Sequence, residues 1–330
     1  MRAPRRIALA RLPTPLQPLD RLSAEIGGPR IWVKRDDLSE SGAGGNKVRK
    51  LEFVIAEALH QGADTLVTCG GLQSNHCRAT ALLGARLGLR VELVLRGELP
   101  EDADGNLFLD LLAGASVHAY PARRYQAELP DLLEMHAARA RASGRCPFII
   151  PTGASDGLGV WGYLSASEEL AADFRAAGIR PRHLVVATGS GGTQAGLTAG
   201  LHLHVPACQV HGVAVCDDAA WFRQKVLADL GDWRARSGST LDLGALRIST
   251  LDAYIGPGYG VSDAATLATI RRVARTEGLL LDPVYTGKAF HGLLQELEAS
   301  RLRDAEDIVF VHTGGIFGLF PQRAQVLGTP

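Results

Sequence analysis

Nowhere in the 330 residues does an apolar run approach the ~18 residues that a membrane-spanning helix requires, and no signal-peptide-like apolar segment follows the start. No membrane is therefore expected as a partner, and the cytoplasm is the expected compartment. Charge of one sign is not in excess either. Lys plus Arg and Asp plus Glu each number 35, so no global field favours nucleic acid or an anionic lipid surface. Cysteine is scarce and odd in number. Cys69, Cys77, Cys146, Cys208 and Cys216 are scattered, mostly in apolar stretches that read as strands, which predicts reduced core residues and no disulfide framework. No CxxC pair or closely spaced Cys/His cluster offers zinc-type spacing, so no metal is expected. Internal repeats and low-complexity linkers are absent. Arg2, Arg5 and Arg6 lend the start a faint transit-peptide character, but the structural pattern begins near Leu12, leaving fewer than the ~15 residues a presequence uses; a solvated terminus is expected.

What is present is the composition of a folded globular protein, 46% apolar, and long enough for one large core or two smaller ones. Short apolar runs alternate with amphipathic segments. Strand-like IWVKR (31–35), TLVTC (65–69), VELVL (91–95), FII (148–150), HLVVAT (183–188), VHGVAV (210–215) and DIVFVH (307–312) are separated by helical patterns, the signature of a parallel α/β sheet. Leu51, Val54, Ile55, Ala58 and Leu59 recur on one helix face that should dock on a sheet. Ser262 is the expected N-cap of a helix carrying Leu267, Ile270, Val273 and Ala274, and Gly278 its stop. Gly153, Gly157, Gly159 and Gly162 crowd a stretch where the chain could pass between two lobes. In such sheets ligands bind beyond the carboxyl ends of the strands.

Four segments at those ends can carry chemistry. In GGNKVRK (44–50), glycines admit a close ligand, and Lys47 in a crowded, partly dry site would have a lowered pKa and a neutral amine able to condense with an aldehyde. The same letters also fit a solvated charge run at a helix start. In ATGSGGTQAG (187–196), strand, glycine-rich turn and helix start make an anion site, with Gly189, Ser190, Gly191, Gly192 and Thr193 wrapping a phosphate monoester. Gln194 stands where a dinucleotide fingerprint begun at Gly189 needs glycine, and no GK[ST] follows, so neither a dinucleotide nor a nucleoside triphosphate is indicated. GGLQSNH (70–76) offers donors for a carboxylate or phenolate oxygen, or simply a helix N-cap at Ser74. GPGYG (256–260), DPVYTGK (282–288) and HTGG (312–315) set Tyr259, Tyr285 and Thr313 beside glycines in loop-like surroundings, where aromatic residues can equally be packing.

Taken in order and spacing, RLPTPLQPL, VKRDDL, GGNKVRKLEF, GGLQSNHCRATA, GPGYG, LDPVYTGKA and HTGG resemble the D-cysteine desulfhydrase and 1-aminocyclopropane-1-carboxylate (ACC) deaminase family of pyridoxal phosphate (PLP) enzymes, over nearly the whole chain. The resemblance implies the tryptophan-synthase-β-like α/β fold (PLP fold type II), with two parallel-sheet lobes and the cofactor in the cleft. A small inserted lobe at 52–158 would interrupt a large one formed by 1–51 and 159–330. It implies Lys47 as the cofactor-carrying lysine and 189–193 as the phosphate cup, with Lys50 adding charge to it. Asn75 would hold the cofactor phenolate oxygen. Ser74, with the backbone near Asn75 and His76, would take the substrate carboxylate, and Tyr259 and Tyr285 would close over the substrate. A homodimer is expected from the family and from the frequency of two-fold oligomers.

Within the family the deaminase branch has Glu after the tyrosine of DPVY and Leu inside HxGG, whereas this chain has Thr286 and Thr313, as in the desulfhydrase branch. A carboxylate near the pyridine nitrogen strengthens the electron sink; a hydroxyl leaves the nitrogen closer to neutral. His76, Cys77, Cys216 and Asp217 sit in strings that resemble the plant-type desulfhydrases. The expected activity is α,β-elimination from a small amino acid, D-cysteine first. The alternatives are an L-cysteate sulfo-lyase or other β-substituted alanine lyase, an ACC deaminase, and a catalytically silent PLP-binding protein.

Overall fold

Backbone runs that are apolar on both faces have to be covered on both faces, and in this chain they become the central strands of two sheets. The computed structural model describes residues 2–328. Among these, the strands are β1 (Leu16–Pro18), β2 (Arg30–Lys34), β3 (Thr65–Gly71), β4 (Arg90–Arg96), β5 (Ser116–Tyr120), β6 (Pro147–Ile149), β7 (His183–Thr188), β8 (Gln209–Ala214), β9 (Ser249–Leu251) and β10 (Asp307–Val311). One sheet has the order β1-β2-β10-β7-β8-β9 and the other β5-β4-β3-β6. All pairings are parallel except β1 with β2.

All seven strand-like runs form strands, each within a residue of its expected bounds or, for β3, extended by two residues. The three strands without such a run, β1, β5 and β9, are all sheet edges. Their residues are half-buried or exposed, so no continuous apolar run marks them, and β1 ends on a proline that only an edge tolerates. Buried β7 and β10 are legible for the opposite reason.

The helix Asn46–His60 buries Leu51, Val54, Ile55 and Ala58. Leu59 does not share that face. It lies about 80° round the helix from Leu51 and is exposed. Arg49, on the polar side of the pattern, is buried as well because it is paired: its guanidinium donates to Asp36 Oδ1 at 2.7 Å and Glu169 Oε1 at 2.9 Å. Lys34 reaches Glu169 at 2.5 Å, and Tyr163 donates to Asp36 Oδ2 at 2.5 Å. Burial opposes ionisation of Glu169, yet bonds from Arg49 and Lys34 hold its carboxyl at about 2. This network locks the helix that begins beside Lys47 to β2 and to the helix Trp161–Ala177. Losing one partner of such a buried set costs about 3–5 kcal/mol.

Two further expectations are corrected. Ser262 is not the cap: Asp263 is, its carboxylate accepting from Thr266 N at 2.7 Å, while Ser262 Oγ donates to Pro283 O. Gly278 does stop that helix, in the left-handed region at φ 65°. All five cysteines are free, but Cys146 is exposed, Cys216 is half-buried and Cys77 lies in the helix Asn75–Arg86. Glu92, His118 and His136, far apart in sequence, bring ligand-type atoms within 4.8 Å of one another, a proximity that no spacing announces. One nitrogen of each histidine is engaged: His118 Nε2 meets Glu92 at 2.7 Å, His136 Nε2 meets Tyr120 Oη at 2.8 Å, and the two rings stack at 3.9 Å.

Candidate active site

The carboxyl ends of β3, β4, β7, β8 and β10 open on one cavity of about 750 Å³, a size suited to a small-molecule site. It is lined by Lys47, Ser74, Asn75, His76, Gly189, Ser190, Gly191, Thr193, Tyr259, Tyr285 and Thr313 among the residues predicted from sequence. Lys50, Gly192 and Thr286 are not on its surface.

Lys47 is a half-buried residue in the first turn of Asn46–His60, and its amine makes no hydrogen bond or ion pair among the described residues. Burial lowers its pKa to about 8. A neutral amine is therefore available near physiological pH. The opposite strip of wall is Gly153: a Cβ built there would lie 3.0 Å from Lys47 Nζ and 2.4 Å from Ser190 Oγ, and the backbone is left-handed at φ 64°. Only glycine satisfies both demands.

The turn after β7 leads into the helix Gly192–His204, whose first N–H groups have no partner within the helix. Gly191, at φ 82°, curls the chain so that these donors border the cavity. Support comes from behind, through Ser155. Its Oγ accepts from Gly192 N at 3.2 Å and from Lys50 Nζ at 2.8 Å, and pairs with Ser190 Oγ at 2.8 Å. Lys50 also donates to Gly153 O at 2.7 Å. Lys50 is thus fully buried behind the turn, and burial, then repulsion by Lys47, drives its pKa well down. Lys225 does reach the cavity; its amine donates to Ser155 O at 3.1 Å and pairs with Asp229.

After β3, Ser74 caps the helix Asn75–Arg86 by accepting from Cys77 N at 3.2 Å, which leaves its own proton free to donate. Asn75 Oδ1 accepts from Arg78 at 3.1 Å and from Asn106 at 3.2 Å, so the network assigns the amide nitrogen to the free side. His76 is spent. Thr68 donates to Ile150 O at 2.9 Å and therefore accepts from His76 Nε2 at 2.8 Å, leaving Nδ1 unprotonated, buried and without a partner. Burial, then Lys47 and Lys50, push its pKa well down, so the ring is neutral. What His76 can offer a ligand is its backbone N–H, in the first helical turn.

Tyr259 and Tyr285 meet across the cavity wall with hydroxyls 2.5 Å apart and rings edge-on at 5.9 Å. Burial raises both pKa values, Tyr285 well above the ordinary range, so both hold their protons at neutral pH. Tyr285 is aimed by Asp282, a residue that sequence reasoning missed. Its Oδ2 accepts from Val284 N and Tyr285 N, both at 2.9 Å, and its Oδ1 from Thr286 N at 2.8 Å and Thr286 Oγ1 at 2.7 Å. Thr286 Oγ1 in turn accepts from Asp282 N at 2.8 Å. Its hydroxyl is consumed by this turn and lies behind the wall, contrary to the expected place beside the cofactor ring. Thr313 is different: its hydroxyl makes no hydrogen bond among the described residues, and the residue lines the cavity.

Arg96, Ser155, Lys225 and Asp282 had no local signal. Each acts on a segment 35 or more residues away, or, for Asp282, through a cap hidden inside DPVYTG. The donor set fits an aldehyde-bearing phosphate monoester: an unpaired amine of lowered pKa, a helix start with open N–H groups, and the buried Thr188 Oγ1 at the cavity wall, which has no protein partner.

Comparison with known proteins agrees. The family described as "Pyridoxal-phosphate dependent enzyme" matches residues 7–314. A D-cysteine desulfhydrase of Klebsiella pneumoniae is 41% identical over 321 residues, covering 96% of this chain and 95% of its own length. The mitochondrial bifunctional D-cysteine desulfhydrase/1-aminocyclopropane-1-carboxylate deaminase of Arabidopsis thaliana is 38% identical over 333 residues, covering 97% of this chain and 81% of its own. The crystal structure of an ACC deaminase homologue has a TM-score of 0.90 at 37% identity, covering 98% of this chain and 96% of that one. With its free lysine, its phosphate-sized turn and relatives matched along nearly their full length, this chain belongs to the pyridoxal-phosphate dependent enzymes.

Proposed function

We propose that this enzyme is a carbon–sulfur lyase that eliminates the β-substituent of a small amino acid, with D-cysteine as substrate and pyruvate, hydrogen sulfide and ammonia as products. The observation that carries this reading is one cavity lined together by the unpaired Lys47 amine, the donors at Ser74 and Asn75, the Tyr259–Tyr285 pair and the neutral Thr313. PLP, when bound, supplies electron withdrawal that stabilises negative charge at Cα. We assign Lys47 to its aldehyde carbon, Gly189–Thr193 to its phosphate, the free amide nitrogen of Asn75 to its phenolate oxygen and Thr313 to its ring nitrogen. Lys50 steadies the phosphate turn from behind.

The protein groups divide the remaining work. Ser74 Oγ and the backbone N–H groups of Asn75 and His76 bind the substrate carboxylate. Neutral Lys47 takes the Cα proton, for which a pKa of about 8 is well matched. The tyrosines, whose pKa values are raised, serve as proton donors to the departing sulfur. Thr313 adds no charge at the ring nitrogen, which suits loss of a good leaving group better than opening an unactivated cyclopropane.

Residues 52–158 form, in this proposal, the inserted smaller lobe between 1–51 and 159–330, supported by β3 to β6 coming from one continuous stretch. A homodimer working in the cytoplasm completes the proposal. No helix among the described residues is long and apolar enough to cross a membrane. The deciding assay offers D-cysteine, L-cysteine, L-cysteate and ACC to the holoenzyme and measures sulfide, pyruvate and 2-oxobutanoate. D-Cysteine should be turned over fastest; faster turnover of ACC under matched conditions would overturn the assignment.

A further inference from the structure

Arg96 is a cation on the cavity wall with no anion to meet. It ends β4, with its Cα registered opposite Gly71 in the strand that leads to Ser74. Its guanidinium carbon lies 5.1 Å from the centre of the Tyr259 ring, and it makes no ion pair or hydrogen bond among the described residues. The other cavity cation beyond Lys47 is different, since Lys225 is paired with Asp229. Arg78, close behind Asn75, is spent on Asn75, Asn106 and Gly44 O. The influence of Arg96 converges on the cavity: its charge works against the burial that raises the pKa values of Tyr125, Cys216 and Tyr259, residues from both sides of the cleft. The carboxylate on the cavity lining is Asp217, beside Cys216, and it is not within ion-pair distance of Arg96. A half-buried guanidinium left without a partner is a preformed anion receptor.

We propose that Arg96 is the subsite for an anionic β-substituent, so that the substrate class is amino acids bearing a thiolate, sulfinate or sulfonate at Cβ. The inference rests on the elimination reading above and names the group that leaves. In that elimination the Cα–H and Cβ–S bonds break. The proton passes to Lys47, the Cα–H electron pair becomes the Cα=Cβ π bond, and the Cβ–S pair departs with sulfur as sulfoxylate or sulfite, or, from a thiolate, as sulfide that takes a proton from the Tyr259–Tyr285 pair to leave as hydrosulfide. The released 2-aminoacrylate takes up water to give pyruvate and ammonia. Arg96 donates N–H to the substituent before and while charge leaves with it, above the tyrosine pair that Tyr259 links to Tyr285.

The test uses holoenzyme and two amino acids without a sulfur leaving group, aspartate, which carries a carboxylate at Cβ, and 2-aminobutyrate, which is neutral there, each as both enantiomers. Binding is followed by the change in cofactor absorbance. Wild type should prefer aspartate, and Arg96→Met should weaken aspartate binding by about tenfold to a hundredfold while 2-aminobutyrate stays within about twofold. Arg96→Lys, which keeps the charge but not the fork, should fall between them. Equal losses for both ligands would show that Arg96 binds the α-carboxylate or merely braces Tyr259, and would overturn the subsite; so would a wild type indifferent to the β-charge, or an unchanged Arg96→Met. Failure of the elimination reading is seen separately, as absence of pyruvate from every sulfur substrate, and leaves the two binding curves able to decide.

Discussion

The cavity is bordered by two glycine-containing turns that solve opposite problems. Gly189–Thr193 is braced by residues remote in sequence, Ser155, Lys50 and Lys225; it gives the Gly192 N–H to Ser155 and, among the described residues, keeps those of Ser190, Gly191 and Thr193 open. Asp282–Lys288 is largely self-sufficient: Asp282 accepts four hydrogen bonds from Val284, Tyr285 and Thr286, and the turn has nothing left to offer a ligand except the Tyr285 side chain. A turn that saturates itself can aim a side chain accurately. A turn that must receive a ligand has to be held by others, because any donor spent internally is lost to the anion.

The largest effect tests what both turns surround. Lys47→Ala should lower turnover by about three orders of magnitude or more while retaining some non-covalent cofactor binding, since the phosphate turn is a separate element. Full activity with unchanged cofactor absorbance in the purified variant would show that Lys47 does not carry the cofactor.

Next, the open turn can be broken by charge. Gly191→Asp places a carboxylate beside a phosphate dianion at a position where φ is 82° and a Cβ would meet Lys225 Cγ at 2.9 Å. Repulsion alone should weaken cofactor affinity by about 2–4 kcal/mol. A cofactor titration of the apoenzyme reads this directly, and unchanged affinity would remove the phosphate from this turn.

The closed turn should fail differently. Asp282→Asn replaces an acceptor of four buried bonds by a group with one acceptor and one donor edge, costing about 2–3 kcal/mol in thermal or denaturant unfolding. Its activity loss should appear chiefly in kcat, through a displaced Tyr285, with cofactor affinity nearly unchanged. Thr286→Glu combined with Thr313→Leu should lower the desulfhydrase rate without creating an efficient deaminase; efficient release of 2-oxobutanoate by the double variant would mean that the closed turn does reach the cofactor.

The smallest effect is a pH midpoint. Folding depresses the Lys47 pKa from 10.5 to about 8, so the neutral amine accumulates as pH rises through about 8 and not two units higher. The rate at which apoenzyme condenses with added pyridoxal should rise with pH around that midpoint and then level. A rise still continuing at pH 10 would place the amine in water.

Much of this was legible in the chain. The seven buried or half-buried strands declare themselves as apolar runs, and the two candidate loops at 70–76 and 189–193 declare themselves because glycine, serine and threonine between a strand and a helix supply donors in excess of what the helix start uses. Edge strands β1, β5 and β9 are silent because half of each meets solvent or another segment. Thr286 misled for a related reason: the letter after Tyr285 shows a hydroxyl, but not that Asp282, four residues earlier, takes it. His76 likewise carries an imidazole in the sequence and a spent one in the fold, since Thr68 holds one nitrogen and burial seals the other.

The sequence by itself determined the fold class and singled out Lys47 and the turn Gly189–Thr193 as candidates, because a strand–loop–helix unit depends on contacts between neighbouring letters. The tertiary structure alone decided which polar groups remain free to act. Whether a hydroxyl, amide or guanidinium has a donor or acceptor to spare depends on partners outside its own turn, 8 to 37 residues distant in these cases: Thr68 for His76, Asn106 for Asn75, Ser155 for Gly192. Arg96 reverses the case, its function resting on the partner that the fold withholds from it.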